Sequence, residues 1–280
     1  MEFIKVHGLG NDFILLEPTA YAGHDLSELA IKLCDRHTGI GADGLLLIAP
    51  ASNKTADICM RIINQDGTEA EMCGNGIRCF SRYAYEKGIV DAADFRVETK
   101  AGIIVPHVIV EKGKVKAVRI DMGQACLDRA KIPMKGSGKY VLAEELSLAD
   151  GSCYEISSVL MGVPHTMIFV DALSDELVNT IGPKIENHPS FPQGTNVNFV
   201  VVHNRKEIEV RTWERGAGAT LACGTGCCAA VVASSLNGYT DREVTVHVQL
   251  GNLQIQYRDE GTVWMTGPAS IMFHGEWNED

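Results

Sequence analysis

The sequence predicts an α/β (α+β) fold made of two copies of one unit. Three observations carry that prediction. The chain has 280 residues, and at about 150 residues per domain this length suggests two domains. Short apolar segments bounded by Gly, Asn or Pro alternate with segments of helical periodicity. The same marks recur in the same order in both halves. Shifted by 150 positions, Met60-Arg61-Ile62 falls on Val210-Arg211-Thr212, Cys73-Gly74-Asn75-Gly76 on Cys223-Gly224-Thr225-Gly226, and Gly88 on Gly238. Downstream, at 149, Val97 and Gly102 meet Val246 and Gly251. Upstream, at 154, Gly8-Leu9-Gly10-Asn11 meets Gly162-Val163-Pro164-His165; at 155, Gly39 and Asp43 meet Gly194 and Asn198. A nearly constant offset across ordered matches is the signature of a duplicated unit.

The elements follow from local patterns. Phe3–Val6, Phe13–Glu17 and Leu45–Ala49 are short and apolar, and read as strands. Ser27–Arg36 places Leu29, Ala30, Leu33 and Cys34 at helical spacing behind a Ser cap. Ile58–Asn64 is a strand running into the turn Gln65-Asp66-Gly67. Gly74–Glu86 is helical with Gly88 as its stop. Phe95–Asp121 reads as consecutive strands, turning at Ala101-Gly102 and Lys112-Gly113. In the second half, Glu207–Trp213 alternates as a strand, and Gly224–Leu236 is a helix stopped by Gly238. Glu243–Tyr257 and Thr262–Thr266 are strands, with turns at Gly251-Asn252 and Asp259-Glu260-Gly261.

Composition narrows the function. Hydrophobic residues make up 45% and charged residues 22%, so a large core forms without disulfides or a structural metal. The net charge of −11 disfavours nucleic acid and anionic membranes as partners, since both want a basic face. The opening Met1-Glu2-Phe3-Ile4-Lys5 has no apolar signal core, and no apolar run is long enough to span a bilayer. The expectation is a cytoplasmic, reduced protein. Nine cysteines, an odd number, cannot form a closed disulfide set.

Two of those cysteines stand apart. Cys73 and Cys223 each open a Cys-Gly-x-Gly tetrad at a helix start. Unpaired N–H groups and the helix dipole favour negative charge there, which predicts a lowered thiol pKa. The glycines let backbone N–H groups approach and cradle a carboxylate. Two duplicated thiols suit a symmetric task, with one sulfur on each face of a single carbon. A thiolate base and a thiol acid can invert a stereocentre without a cofactor. The resulting carbanion needs its carboxylate held by preorganised donors, each worth about 2.7–4 kcal/mol. Gly74, Asn75, Gly224 and Thr225 can supply them. A zinc or redox role is the alternative from another class. The spacings Cys73-x5-Cys79 and Cys223-x3-Cys227 do not match ordinary zinc knuckles. Cys34, Cys59, Cys79, Cys126, Cys153, Cys227 and Cys228 read as structural.

At these residues the sequence resembles the diaminopimelate epimerases, within the cofactor-independent amino-acid epimerases and racemases. The resemblance runs through Lys5-Val6-His7-Gly8-Leu9-Gly10-Asn11-Asp12-Phe13, Arg36-His37-Thr38-Gly39-Ile40-Gly41-Ala42-Asp43-Gly44 and Arg61-Ile62-Ile63-Asn64-Gln65-Asp66-Gly67. It continues through Met72-Cys73-Gly74-Asn75-Gly76-Ile77-Arg78-Cys79, Met161-Gly162-Val163-Pro164-His165 and Phe191-Pro192-Gln193-Gly194-Thr195-Asn196-Val197-Asn198-Phe199. It ends with Trp213-Glu214-Arg215-Gly216 and Ala222-Cys223-Gly224-Thr225-Gly226.

The resemblance implies conversion of L,L-2,6-diaminopimelate to its meso form, with neither cofactor nor metal. It implies Cys73 and Cys223 as acid and base, and His165 and Glu214 beside the reacting amino group, with Asn11 as a substrate contact next to them. Gly74, Asn75, Gly224 and Thr225 would hold the reacting carboxylate. Asn64, Asn196 and Arg215 would read the distant amino-acid centre, where an Arg fork suits a carboxylate. Asp43, Asp66 and Arg78 are expected to make structural hydrogen bonds. One departure concerns substrate choice: Val163 stands where the family usually has Asn, and valine has no side-chain hydrogen bond to give. At position 44 the family has Gln or Gly, and Gly44 forgoes a contact. The implied architecture is two pseudo-symmetric domains, each a strand-rich, barrel-like shell around a central helix, with the active site in the cleft between them. The expected boundaries are 1–119 plus about 269–280, and 120–268. A homodimer is also implied.

Overall fold

The computed structural model describes residues 1–278; positions 279 and 280 of the expected 269–280 segment lie outside the described residues. The chain divides into two compact units. One comprises Met1–Asp121 and the segment from Thr266 onward, the other Met122–Met265.

The first unit opens with β1 (Glu2–Gly8), β2 (Asn11–Leu16), α1 (Pro18–Tyr21), α2 (Leu26–Cys34), β3 (Gly44–Ala49), β4 (Ile58–Asn64) and β5 (Glu69–Ala70). Then come α3 (Gly74–Glu86), β6 (Val97–Thr99), β7 (Gly102–Ile104), β8 (His107–Glu111) and β9 (Lys114–Gln124), whose last residues pass into the second unit. The second unit continues with β10 (Val141–Ser147), β11 (Cys153–Met161), β12 (Val163–Phe169), α4 (Asp175–Glu186), β13 (Asn196–Asn204), β14 (Glu207–Glu214) and β15 (Gly218–Thr220). It is completed by α5 (Gly224–Leu236), β16 (Glu243–Val248), β17 (Gly251–Tyr257) and β18 (Thr262–Gly267), whose last residues, from Thr266, pass back into the first unit. The last strand, β19 (Ser270–Glu276), pairs antiparallel with β1. No helix among the described residues is long and apolar enough to cross a membrane.

The duplication is visible strand by strand. In the first unit β1–β2 is antiparallel, β2–β3 parallel, β3–β4 and β4–β5 antiparallel, β4–β6 parallel and β6–β7 antiparallel. In the second, β11–β12, β12–β13, β13–β14, β14–β15, β14–β16 and β16–β17 repeat that series in the same senses. Each parallel step needs a crossover. α2 and α4 supply the first in each unit, α3 and α5 the second. Sheet register also corrects the upstream offset. Leu46 pairs with Leu15 and Ile62, as Asn198 pairs with Met167 and Thr212, so the shift there is 152 rather than 154 or 155. Asn11 therefore corresponds to Val163, and Phe13 to His165.

α3 and α5 are the central helices, and each packs against several strands of its own sheet. α5 is apolar almost all round and buries a run from Gly226 to Ser234. α3 buries Ile77, Phe80, Tyr83 and Ala84, but also the whole of Arg78. Gly88 and Gly238, at φ 70° and 78°, end these helices in the left-handed conformation that glycine tolerates. The cap of α2 differs from expectation. Asp25 accepts the Ser27 and Glu28 amides, so Ser27 lies inside the first turn. α4 was not legible as a helix, because Gly182 and Pro183 interrupt its pattern. Gly182 is required by contact: a Cβ there would lie 2.6 Å from Trp213 Cβ.

Candidate active-site residues

In the first unit Cys73 is the N-cap of α3, half-buried at the helix start. The Gly76 amide donates to its Sγ at 3.4 Å, and its thiol reaches Asn11 Oδ1 at 3.5 Å. Asn11 is held from behind. Its Nδ2 donates to Asp43 Oδ2 at 2.6 Å, which turns Oδ1 toward Cys73 and toward Asn75 Nδ2 at 3.2 Å. Asn75 is fixed in turn by Arg78, whose Nη2 donates to Asn75 Oδ1 at 2.8 Å and whose Nη1 donates to Gly74 O at 2.9 Å. Arg36 grips both Asp12 and Asp43 at the outer end of this chain. Asp43 and Arg78 thus make the structural hydrogen bonds expected of them. So does Asp66, whose carboxylate accepts from the Thr68 amide and hydroxyl. Asn64 lies at the end of β4, donating to Thr68 Oγ1 at 3.0 Å. Gly44 does more than forgo a contact: a Cβ there would lie 2.7 Å from Ile63 O, so a side chain at this position would need the neighbouring strand to shift.

In the second unit Cys223 is the N-cap of α5 and is 7% exposed. It makes no side-chain cap bond; its Sγ lies 3.5 Å from Thr225 Oγ1. The expectation of a lowered thiol pKa fails here. Burial pushes the Cys223 thiol far up and the Glu214 charge adds to this, outweighing the Thr225 hydroxyl and Gly226 amide. Glu214 Oε1 accepts from Thr220 Oγ1 at 2.6 Å. His165, on β12, is fully buried and faces Asn198 Nδ2 at 3.2 Å through Nδ1. Burial, and secondarily the Arg215 charge, lower its pKa to about 3. Asn196 is buried beside it, with Nδ2 on Pro164 O and Oδ1 accepting the Arg215 amide at 2.8 Å. Arg215 is exposed and anchored to Gln193 O at 2.8 Å.

Each unit brings some of its expected residues to the start of its central helix, Asn11 beside Cys73 and Glu214 near Cys223. Cys73, Gly74, Asn75 and Asn11 form one cluster, with Asn64 a strand away; Cys223, Thr225, Glu214, His165, Asn196 and Arg215 belong to the other unit. Sequence reasoning missed Thr212, Thr220 and Glu186. Glu186 closes α4 and accepts the Trp213 indole at 2.7 Å and the Gly216 amide at 2.9 Å, shaping the Arg215 turn. For Thr212 a signal existed: it lies on a buried strand face where the other half has Ile62. The remaining cysteines are all unbridged. Cys34 and Cys79 are pushed up to about 12 by burial, while Cys153 is exposed rather than core. Among the described residues, no group of three or more His, Cys, Asp and Glu side chains is placed to hold a metal ion.

Against known proteins, the family described as diaminopimelate epimerase matches residues 3–127 and 157–272. The diaminopimelate epimerase of Pelotomaculum thermopropionicum is 52% identical over 279 residues, covering 99% of both chains. That of Caldanaerobacter subterraneus subsp. tengcongensis is 51% identical over 276 residues, again covering 99% of both. Among solved structures, a probable proline racemase from Agrobacterium radiobacter superposes with a TM-score of 0.71 at 16% identity. It covers 100% of this chain and 93% of its own, and shows the shared fold. The duplicated topology, the paired Cys-Gly-x-Gly helix starts and full-length identity near one half agree: this chain belongs to the diaminopimelate epimerase family.

Proposed function

We propose that the protein is an isomerase converting L,L-2,6-diaminopimelate to the meso form by a cofactor-independent, two-base reaction. This step serves lysine and cell-wall precursor synthesis. The observation that carries it is the recurrence of one thiol, at one topological position, in two units of identical strand pairing. Epimerisation needs a base on one face of the α-carbon and an acid on the other. One sulfur takes the α-proton and becomes a thiol; the other gives its proton to the opposite face and becomes a thiolate. The electron pair left by the C–H bond moves onto the carboxylate, and N–H donors at the two helix starts stabilise that charge. Cys223 enters as the neutral thiol, because burial and Glu214 keep it protonated. Cys73 is then the base for whichever stereoisomer turns its α-hydrogen toward it; in reverse the roles exchange.

The test is proton–deuterium exchange and epimerisation in deuterated water. Wild-type protein should incorporate solvent deuterium at the epimerised α-carbon. Cys73→Ala and Cys223→Ala should each abolish epimerisation. Turnover near wild type in either variant overturns the two-base scheme. A second substrate of the same chemical class is favoured by one residue: Val163, partly exposed at the start of β12, cannot hold a distal carboxylate through its side chain. Comparing kcat/KM for diaminopimelate with a panel of monocarboxylate amino acids decides between them. The homodimer implied by family membership is tested by light scattering.

A further inference from the structure

The two units differ at one layer. Phe13, Leu46 and Ile62 occupy it in the first unit; by register, His165, Asn198 and Thr212 occupy it in the second. All six side chains are buried. The first unit shows that the fold is satisfied by three apolar residues there. Three polar ones add desolvation cost unless every atom is paired, so their presence calls for a chemical reason.

Their hydrogen bonds have a fixed direction. Thr166 O can only accept, and Asn198 Nδ2 faces it at 3.5 Å. That orients the amide, leaving Asn198 Oδ1 to accept from Thr212 Oγ1 at 3.0 Å. The same Nδ2 is 3.2 Å from His165 Nδ1, which must then be the unprotonated nitrogen. A neutral imidazole in this setting carries its proton on Nε2. His165 Nε2 is buried with no partner among the described residues. It is an N–H donor without an acceptor, and it has no lone pair to offer an ammonium. Glu214, a carboxylate, can receive an ammonium; His165 cannot.

We propose that Asn198, backed by Thr212, is a positioning residue that fixes His165 as its Nε2–H tautomer and so reserves a buried N–H donor for an acceptor oxygen of the substrate. The substrate clause rests on the epimerase function proposed above. The tautomer clause does not.

The test uses full-length protein labelled with 15N-histidine and long-range proton–nitrogen correlation at about pH 7, near the middle of the physiological range. The His165 signals are assigned by their loss in His165→Phe, which copies Phe13. The expected spectrum has a pyrrole-type Nε2 and a pyridine-type Nδ1. Asn198→Asp replaces the donor by an acceptor, so the proton should move to Nδ1, and kcat should fall about 100-fold, the scale of one positioned proton donor, with a smaller change in KM. Asn198→Leu copies Leu46, which packs beneath Gly76 in the first unit; it should release the tautomer preference in a folded protein. A wild-type Nδ1–H tautomer overturns the proposal. So does an inverted tautomer in Asn198→Asp with kcat at the wild-type level. If diaminopimelate is not epimerised at all, the epimerase assignment fails while the spectrum still decides the tautomer.

Discussion

The starts of the two central helices, at Cys73 and at Cys223, have the same strand pairing and opposite surroundings. Cys73 caps its helix, receives the Gly76 amide and touches a polar network that ends in surface arginine. Cys223 lies buried and feels the Glu214 charge, which together outweigh the Thr225 hydroxyl and the Gly226 amide beside it. Beneath the helices the order reverses. The partly exposed thiol stands over an apolar layer, and the buried thiol over a polar one. Duplication supplied one scaffold, and divergence at equivalent positions gave each sulfur its own protonation environment. Under the two-base reaction proposed above, unlike surroundings are no obstacle, because that scheme needs one sulfur as thiolate and the other as thiol.

The largest expected difference between the two cysteines is chemical. Iodoacetamide in excess should label Cys73 at least about tenfold faster than Cys223 in the ligand-free protein, because the thiolate is the reacting form and burial suppresses it at Cys223. Peptide mapping after timed quenching reads both rates. Equal rates would erase the contrast drawn above.

The next difference appears in the pH dependence of stability. His165 has a folded pKa of about 3, against an ordinary value of 6.5. Below 6.5 the unfolded chain takes up a proton that the folded chain refuses, so stability falls as pH drops from there toward 3. The His165 contribution has a limiting slope of about 1.4 kcal/mol per pH unit. His165→Phe, which copies the first unit, should remove that part of the slope in urea titrations. An unchanged slope would mean that His165 is not held neutral.

Packing gives a smaller effect. A Cβ on Gly226 would overlap Asn198 Oδ1, whereas one on Gly76 would meet Leu46 Cδ2 at 3.1 Å. Gly226→Ala should destabilise by about 1–3 kcal/mol through overpacking. Gly76→Ala should cost less, because a flexible leucine end can yield and alanine favours the helix. Smallest are the caps of the crossover helices. Asp25→Ala and Ser174→Ala each remove a side chain that accepts first-turn amides, and each should cost about 1 kcal/mol. Thermal or urea unfolding checks all four.

Much of this was legible in the sequence, for physical reasons. Ile58–Asn64, Gly74–Glu86 and Gly224–Leu236 were readable to the residue, because apolar periodicity and terminal glycines are local signals. α4 was not, because Gly182 and Pro183 weaken its pattern and Gly182 is explained only by its close contact with Trp213, remote in sequence. The α2 cap was misplaced by two residues, since both Asp25 and Ser27 are good caps and only the backbone path chooses between them.

The candidate site divides the same way. Sequence alone determined that there are two equivalent cysteines, each at a helix start, and which family the chain resembles. Those properties depend on residue type and spacing along the chain. Tertiary structure decided that the helix-start effect on Cys223 is overturned by burial, that a side chain at position 44 would crowd the neighbouring strand, and that Asn198 is equivalent to Leu46 rather than to Asp43. These depend on distances between strands remote in sequence, and desolvation is set by what surrounds an atom rather than by what precedes it in the chain.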